Sequence, residues 1–117
     1  MDELNKGETC PIVEAIREVG NENDLLVIRF LSEESLGFND ILRKAENMSP
    51  KTLSTTLKRL QQKGIIERRI ISTQPFRVMY SLTQKGMDLR TVLNDLKIWG
   101  SKWLTTADMY PLTSDQR

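Results

Sequence analysis

The sequence predicts a mainly α-helical domain that carries one small β-hairpin. Four segments with helical spacing of apolar residues precede a stretch rich in β-branched and aromatic residues, and another helical segment follows it. At 117 residues the chain has room for one hydrophobic core. We therefore expect a single domain over residues 1–117, with its core at about 9–104 and loose tails at 1–8 and 105–117.

The first two predicted helices are bounded by residues that start and stop helices. Pro11 suits a first helical turn, and Gly20 ends the segment. Asn23 or Asp24 is the expected cap of the second helix, whose LLVIRFL segment is apolar almost all round and is therefore predicted to be buried. The apolar residues at helical spacing in the first helix are Ile12, Ile16 and Val19.

The third and fourth predicted helices follow a turn at Gly37. The fourth begins at Ser49-Pro50, where a capping hydroxyl precedes a proline at the first helical position, and it ends before Gly64. The apolar stripe of the third helix, FNDILRKAE, comprises Phe38, Ile41, Leu42 and Ala45. At about 100° per residue, the fourth helix has an apolar arc of Leu53, Leu57 and Leu60 and an opposite side of Lys51, Thr55, Lys58, Arg59 and Gln62.

A two-stranded hairpin and a last helix are predicted after Gly64. The segments IIERRII and RVMYSL flank the turn-prone STQP, and Val78, Tyr80 and Leu82 alternate so that they face the core. Thr83 is the expected cap of the last helix, and in the tail Met109 and Tyr110 are the residues most able to pack. This order of elements, with a short connection between the third and fourth helices, is that of a winged helix-turn-helix with a C-terminal helix.

The charges are unevenly distributed along a chain whose net charge is only +1. Residues 1–48 hold five basic and eleven acidic side chains, residues 49–86 hold eight and one, and residues 87–117 hold four of each. A basic helix followed by a basic hairpin indicates a polyanionic partner. Duplex DNA suits this architecture, which lacks the aromatic-rich sheet of many RNA-binding domains.

The predicted DNA-binding residues fall into three groups. The first turn of the fourth helix is expected to reach bases in the major groove, its later cations to contact phosphates, and the hairpin arginines to lie along the minor groove. The base-contacting group is Lys51, Thr52 and Thr55, and Ser54 adds a small hydroxyl that permits close approach. The phosphate group is Lys58, Arg59 and Lys63, and the hairpin group is Arg69 and Arg77 beside the tip at 72–75. The alternative is that the basic helix is an ordinary solvated face.

The composition argues against an enzyme, a metal site or a membrane segment. The chain has no histidine and a single cysteine, Cys10, so the commonest general base, a zinc ligand set and an internal disulfide are missing. Neither a GxxxxGK[ST] nor a GxGxxG motif occurs, and no cofactor is expected. No apolar run approaches the roughly 20 residues of a membrane span, and the segment MDELNKGETC is polar, so we expect a cytoplasmic protein.

From Thr9 to about Leu104 the sequence resembles the HxlR-type winged-helix transcriptional regulators of bacteria and archaea. The matching segments are Cys10-Pro11, GFNDILRKAENMSPKTLSTTLKRLQQKGIIERR, PFRVMYSLTQKG and Leu96–Trp103. The resemblance implies a homodimer that binds operator DNA sequence-specifically through two copies of the fourth helix and regulates nearby genes. One departure lies at Gly20–Asp24, where such proteins often carry a Gly-Lys-Trp-like run.

The resemblance also implies a dimer seam formed by the N-terminal segment and the last helix. Two subunits are expected to place their fourth helices at half-sites about 10 base pairs, or a multiple of that, apart. The predicted interface residues are Ile12, Ile16, Leu89, Val92, Leu96, Trp99 and Trp103. The alternative is that the stripe of the last helix only closes the core of one subunit.

Cys10 is a candidate redox sensor, because similar regulators sometimes use a cysteine at this position to sense oxidants or electrophiles. A helix N-terminus favours a thiolate, and sensing would require an adduct or a bond between the Cys10 residues of two subunits; the alternative is an inert thiol. Two other functions stay open. One is a winged-helix module that binds an acidic protein, and the other is a switch with a small-molecule pocket near Leu26, Phe30 and Trp99.

Overall fold

The computed structural model describes residues 10–104, which form six helices and a two-stranded antiparallel sheet. This confirms the mainly helical fold with one hairpin, whereas the predicted tails, with Met109 and Tyr110, lie outside the described residues. No helix within this range is long and apolar enough to cross a lipid bilayer. The elements are α1 (Pro11–Val19), α2 (Glu22–Leu31), α3 (Phe38–Lys44), α4 (Pro50–Gln62), β1 (Ile66–Thr73), β2 (Phe76–Leu82), α5 (Gln84–Met87) and α6 (Leu89–Trp103).

The core lies between α2, α3, α4 and the base of the hairpin. Val27, Ile28 and Leu31 of α2 are buried, which confirms that its apolar segment lies inside the protein. α1 contributes only Val19, at its C-terminal end. α3, α4 and the residue before β1 supply further fully buried apolar side chains, namely Ile41, Leu53, Leu57, Leu60 and Ile65.

The predicted cap of α2 was wrong by two or three residues. Asn21 is the cap, because its side-chain oxygen accepts hydrogen bonds from the backbone N–H groups of Asn23 at 2.8 Å and Asp24 at 3.3 Å. The helix therefore begins at Glu22, and Asp24 lies within its first turn. That position turns the Asp24 side chain into the protein instead of leaving it at the helix end.

The boundaries of α4 match their sequence signals more closely than the end of α3 does. α3 ends at Lys44, two residues earlier than predicted, because the backbone of the buried Ala45 has left the helical region at φ −93° and ψ 76°. Ser49 caps α4 as predicted, accepting a hydrogen bond of 3.1 Å from the backbone N–H of Thr52. Gly64 ends it with φ 73°, a left-handed conformation that side chains other than glycine resist.

The hairpin is joined to the core at its base. β1 and β2 pair with Ile66 opposite Leu82, and both residues are buried. Tyr80 is also buried and Val78 is half-buried, so the predicted alternation is confirmed. Leu36 forms an isolated bridge with Tyr80 through backbone hydrogen bonds of 3.1 and 2.8 Å, which holds the start of α3 against the hairpin.

The last helix is divided at Asp88, where the sequence predicts one continuous helix. Thr83 caps the first part, α5, by accepting a hydrogen bond of 3.3 Å from the backbone N–H of Gly86. Gly86 lies directly against the carbonyl oxygen of Ile65, so α5 is fixed to the base of the hairpin. α6 has no buried residue and is therefore covered only in part by the rest of the described chain.

Candidate DNA-binding surface

α4 buries its apolar arc and presents its polar side to solvent. The buried face also includes Thr56, whose hydroxyl lies 3.4 Å from a guanidinium nitrogen of Arg59. The Ser49 hydroxyl donates a hydrogen bond of 3.0 Å to the Thr52 hydroxyl, so Thr52 is also part of the helix cap. The accessible or half-accessible residues of the polar side include Lys51, Thr52, Ser54, Thr55 and Lys58. A rigid helix with this exposed side has the dimensions to enter a major groove.

Four exposed cations near this side are free of internal partners. Within residues 10–104, none of them makes a side-chain hydrogen bond or an ion pair, unlike the cations in the four ion pairs of the same range. They come from the start and middle of α4 and from the two strands of the hairpin: Lys51, Lys58, Arg68 and Arg77. Their charges are available for an external polyanion.

Arg68 belongs to this surface although the sequence did not single it out. It lies opposite Tyr80 in β2, and with Lys58 it lines a cavity of about 260 Å³ between α4 and the hairpin. With Arg77 it also lines a second cavity of about 440 Å³ beside the start of α3. Strand alternation places residue 68 on the same face as the buried Ile66, and this signal identifies Arg68 as facing α4.

Arg59 is directed at α2. Its Nε atom lies 3.2 and 3.3 Å from the two carboxylate oxygens of Asp24, and its Nη2 atom lies 2.5 Å from Oδ1. The hydrogen bonds to Asp24 raise the pKa of Arg59, burial opposes this effect, and the attraction of the Asp24 charge adds to it. The guanidinium therefore stays charged. The predicted phosphate contact of Arg59 stays a prediction, and this geometry favours an internal role.

Lys63 and Arg69 also have partners within the protein. The Lys63 Nζ atom donates a hydrogen bond of 2.6 Å to the carbonyl oxygen of Glu18 in α1. The Arg69 Nη2 atom lies 2.8 Å from a carboxylate oxygen of Glu67, in an exposed ion pair on the same strand. Fewer cations are therefore free for DNA than the sequence predicts, although an exposed pair such as that of Arg69 exchanges partners at little cost.

α1 and α6 each expose apolar side chains to solvent. Trp99, in the middle of the α6 stripe, is 56% exposed. The predicted interface residues that are exposed are Ile12, Ile16, Val92, Leu96, Trp99 and Trp103. Leu89 differs, because it is half-buried and packs against the hydrophobic core. Most of the stripe therefore does not serve to close that core.

Cys10 lies at the N-cap of α1, as the sequence indicates. It is half-buried, and its side chain makes no capping hydrogen bond. Its role as a redox sensor stays a prediction. Residues 10–104 contain no group of three or more Cys, His, Asp or Glu side chains arranged to hold a metal ion.

A cleft of about 720 Å³ lies between α2 and α6, in the region where the sequence left open a small-molecule pocket. Leu26 lines this cleft, together with Leu25 and Leu93. Phe30 and Trp99, which were associated with the same pocket, do not line it.

Comparison with known proteins identifies the fold and the family. Residues 18–108 match the HxlR-like helix-turn-helix family. Two proteins of Bacillus subtilis (strain 168) are similar to this chain. The uncharacterized HTH-type transcriptional regulator YvaP is 32% identical over 86% of this chain and 94% of its own. The HTH-type transcriptional regulator YodB is 31% identical over 85% of this chain and 89% of its own.

The structure of the reduced form of YodB from B. subtilis is similar to that of this chain. Its TM-score is 0.70 at 31% identity, and the match covers 84% of this chain and 97% of YodB. The helix-turn-helix formed by α3 and α4 and the wing formed by β1 and β2 agree with this match. The chain belongs to the HxlR-like helix-turn-helix family.

Proposed function

We propose that this protein is a transcriptional regulator that binds duplex DNA sequence-specifically as a homodimer in the cytoplasm. The observation that supports this function best is a set of exposed cations that continues from α4 onto the hairpin and has no ion-pair partner in the described part of the chain. Membership of a family whose relatives bear the names of transcriptional regulators supports the same function. We propose no enzymatic activity.

In this proposal α4 enters the major groove. Lys51 and Thr55 lie one turn apart on its exposed side near the N-terminus, where recognition helices contact base edges. Thr52 and Ser54 flank them and allow close approach to the DNA. Lys58 lies one turn further along, and Arg68 faces it across the cavity between α4 and β1. These two cations are placed to neutralise phosphates on one side of the groove.

The hairpin is the second DNA-contacting element. Arg77 makes no side-chain hydrogen bond or ion pair within residues 10–104. Arg69 can exchange its exposed partner Glu67 for a phosphate or for a narrow minor groove. Ile70 and Phe76 on the same hairpin are also exposed, and their apolar side chains suit the sugar edges of a groove. Lys63 and Arg59 support α4 from within the protein in this proposal.

The homodimer forms through the exposed apolar residues of α1 and α6. An exposed apolar stripe along a helix, such as that of α6, indicates an interface. Trp99 and Trp103 lie four residues apart on α6, and aromatic residues are enriched at the centres of interfaces. Two subunits then present two copies of α4 to half-sites about 10 base pairs, or a multiple of that, apart.

Selection of bound fragments from a random DNA pool tests the proposed function. We expect enrichment of a motif with two-fold symmetry, and fluorescence anisotropy with the selected duplex should show affinity that falls steeply with salt. Lys58→Ala should weaken binding of this duplex and of an unrelated duplex alike. Lys97→Ala removes the same charge from the exposed face of α6 and is the matched control. Absence of any selected motif, or equal effects of the two substitutions, would contradict the proposal.

A further inference from the structure

We infer that Arg59 is a positioning residue, held by the buried carboxylate of Asp24 so that α4 presents its first turns to DNA. This inference rests on the proposed function. It replaces a direct phosphate contact by Arg59 with a contact inside the protein that sets the orientation of the recognition helix. The evidence is the geometry of the pair, the burial of Asp24 and the place of both residues in the fold.

The pair has the geometry of a fixed bridge. Two guanidinium nitrogens of Arg59 reach the carboxylate of Asp24, and both carboxylate oxygens are contacted. Because the guanidinium is a rigid planar fork, such two-point contact restricts rotation as well as distance. Thr56, one turn before Arg59 in α4, lies beside the same guanidinium and supports its orientation.

The buried carboxylate of Asp24 depends on Arg59 to balance its charge. The residue is 1% exposed, and a buried carboxylate without a partner is costly, so Arg59 cannot turn outward to a phosphate without leaving that charge unpaired. Asn21 fixes the backbone of Asp24 through the cap of α2. The position of the carboxylate is therefore set by α2 and the core, and the Arg59 side chain orients toward it.

The position of the pair explains its effect on α4. Asp24 belongs to α2, which passes through the core, and Arg59 lies in the third turn of α4. The leucines of α4 bury apolar surface, but this interaction is non-directional and tolerates small rotations and shifts. The ion pair is directional, so it fixes the orientation of α4 relative to α2.

The test compares variants that separate charge from geometry. Arg59→Lys keeps the cation but loses the planar fork, Arg59→Gln loses both, and Asp24→Asn removes the partner but leaves Arg59 charged. We expect each variant to bind the selected duplex about tenfold more weakly. The double variant Asp24→Asn/Arg59→Gln should bind like the single variants. Lys58→Gln serves as the reference for a phosphate contact.

The salt dependence of affinity distinguishes positioning from direct contact. The slope of log affinity against log salt is negative, and loss of one phosphate contact lowers its magnitude by about 0.9. We expect that decrease for Lys58→Gln, whereas Arg59→Lys and Arg59→Gln should keep the slope of the parent protein. Affinity is measured at a temperature at which circular dichroism shows each variant to be folded. Should Asp24→Asn not fold there, the Arg59→Lys variant decides, because it keeps the buried carboxylate neutralised.

The contrary results are distinct. Two results would overturn the positioning role if Lys58→Gln still weakens binding. One is parent-like affinity of folded Arg59→Lys and Asp24→Asn. The other is a salt slope of smaller magnitude for Arg59→Gln than for the parent protein. If Lys58→Gln and Lys51→Ala also left binding unchanged, the proposed function itself would fail.

Discussion

The Nζ atom of Lys63 donates a hydrogen bond of 2.6 Å to the backbone carbonyl oxygen of Glu18. This carbonyl lies in the last turn of α1, where no intrahelical partner is available and a cation is favoured by the helix dipole. Lys85 completes the arrangement, with its Nζ atom 3.2 Å from a carboxylate oxygen of Glu18 and 2.8 Å from the carbonyl oxygen of Lys63. The mostly exposed α1 is thereby joined to the end of α4.

Substitution of Lys63 should therefore affect stability more than DNA binding. We expect Lys63→Gln to lower the free energy of unfolding by about 1 kcal/mol, since a half-buried hydrogen bond from a charged donor is lost. The measurement is urea-induced unfolding followed by circular dichroism at one fixed protein concentration. Lys51→Gln, at a free and exposed cation of α4, should change stability by less than about 0.5 kcal/mol. If Lys63→Gln instead kept parent-like stability and reduced the magnitude of the salt slope of DNA binding, Lys63 would be a phosphate contact.

Local signals in the sequence were enough to locate α4. A capping hydroxyl at Ser49 and a left-handed glycine at Gly64 each act on a few neighbouring residues, so the sequence alone specifies them. The cap of α2 was not specified in this way, because Asn21, Asn23 and Asp24 are all good capping residues. Which of the three caps the helix depends on the burial of Asp24, and this burial is set by tertiary contacts.

The same distinction applies to the candidate site. The exposure of Lys51 and Lys58 follows from helical spacing and could be predicted. The partner of Arg59 lies 35 residues away and that of Lys63 lies 45 residues away, and no periodic pattern encodes pairs at such separations. The sequence therefore identified the basic helix but not which of its cations are used inside the protein.

The contact between Gly86 and Ile65 predicts a sensitive position at the base of the hairpin. A Cβ atom at residue 86 would overlap the carbonyl oxygen of Ile65, which also accepts hydrogen bonds of 3.0 Å from the backbone N–H and the hydroxyl of Thr83. We expect Gly86→Ala to lower the free energy of unfolding by about 2 kcal/mol, because backbone must shift to make room. Chemical denaturation measures this change.

Gly100→Ala is the control for Gly86→Ala. Gly100 lies in α6, and apart from its chain neighbours and the backbone of its own helix, a Cβ atom there would meet no atom of the described chain within 4 Å. Because alanine is the better helix former, this substitution should leave stability unchanged or raise it by up to about 1 kcal/mol. Equal destabilisation by the two substitutions would contradict the assignment of α5 to a tight contact with the hairpin.

The apolar stripe of α6 predicts a dimer that depends on Trp99. Trp99→Glu places a charge within the proposed interface, where it would be buried without a partner, so we expect the protein to become monomeric. Sedimentation equilibrium measures the molecular mass. Ile98→Glu is a close control, because Ile98 is 58% exposed but lies about 100° round the helix from Trp99. A dimer that survives Trp99→Glu, or dissociates equally with Ile98→Glu, would contradict the proposed seam.

The exposed side of α4 predicts that residues near its start determine sequence preference, whereas Lys58 further along contributes affinity for any DNA sequence. Lys51→Ala or Thr55→Ala should change which base pairs are preferred, with a loss of about 1–3 kcal/mol on the selected duplex and a smaller loss on unrelated DNA. Lys58→Ala should weaken binding of both DNA molecules by the same factor, since phosphate contacts carry no sequence information. Repeating the selection from random DNA with each variant measures the preference, and anisotropy titrations measure the affinity. An unchanged motif for both the Lys51 and the Thr55 variant, at parent affinity, would show that another element reads the bases.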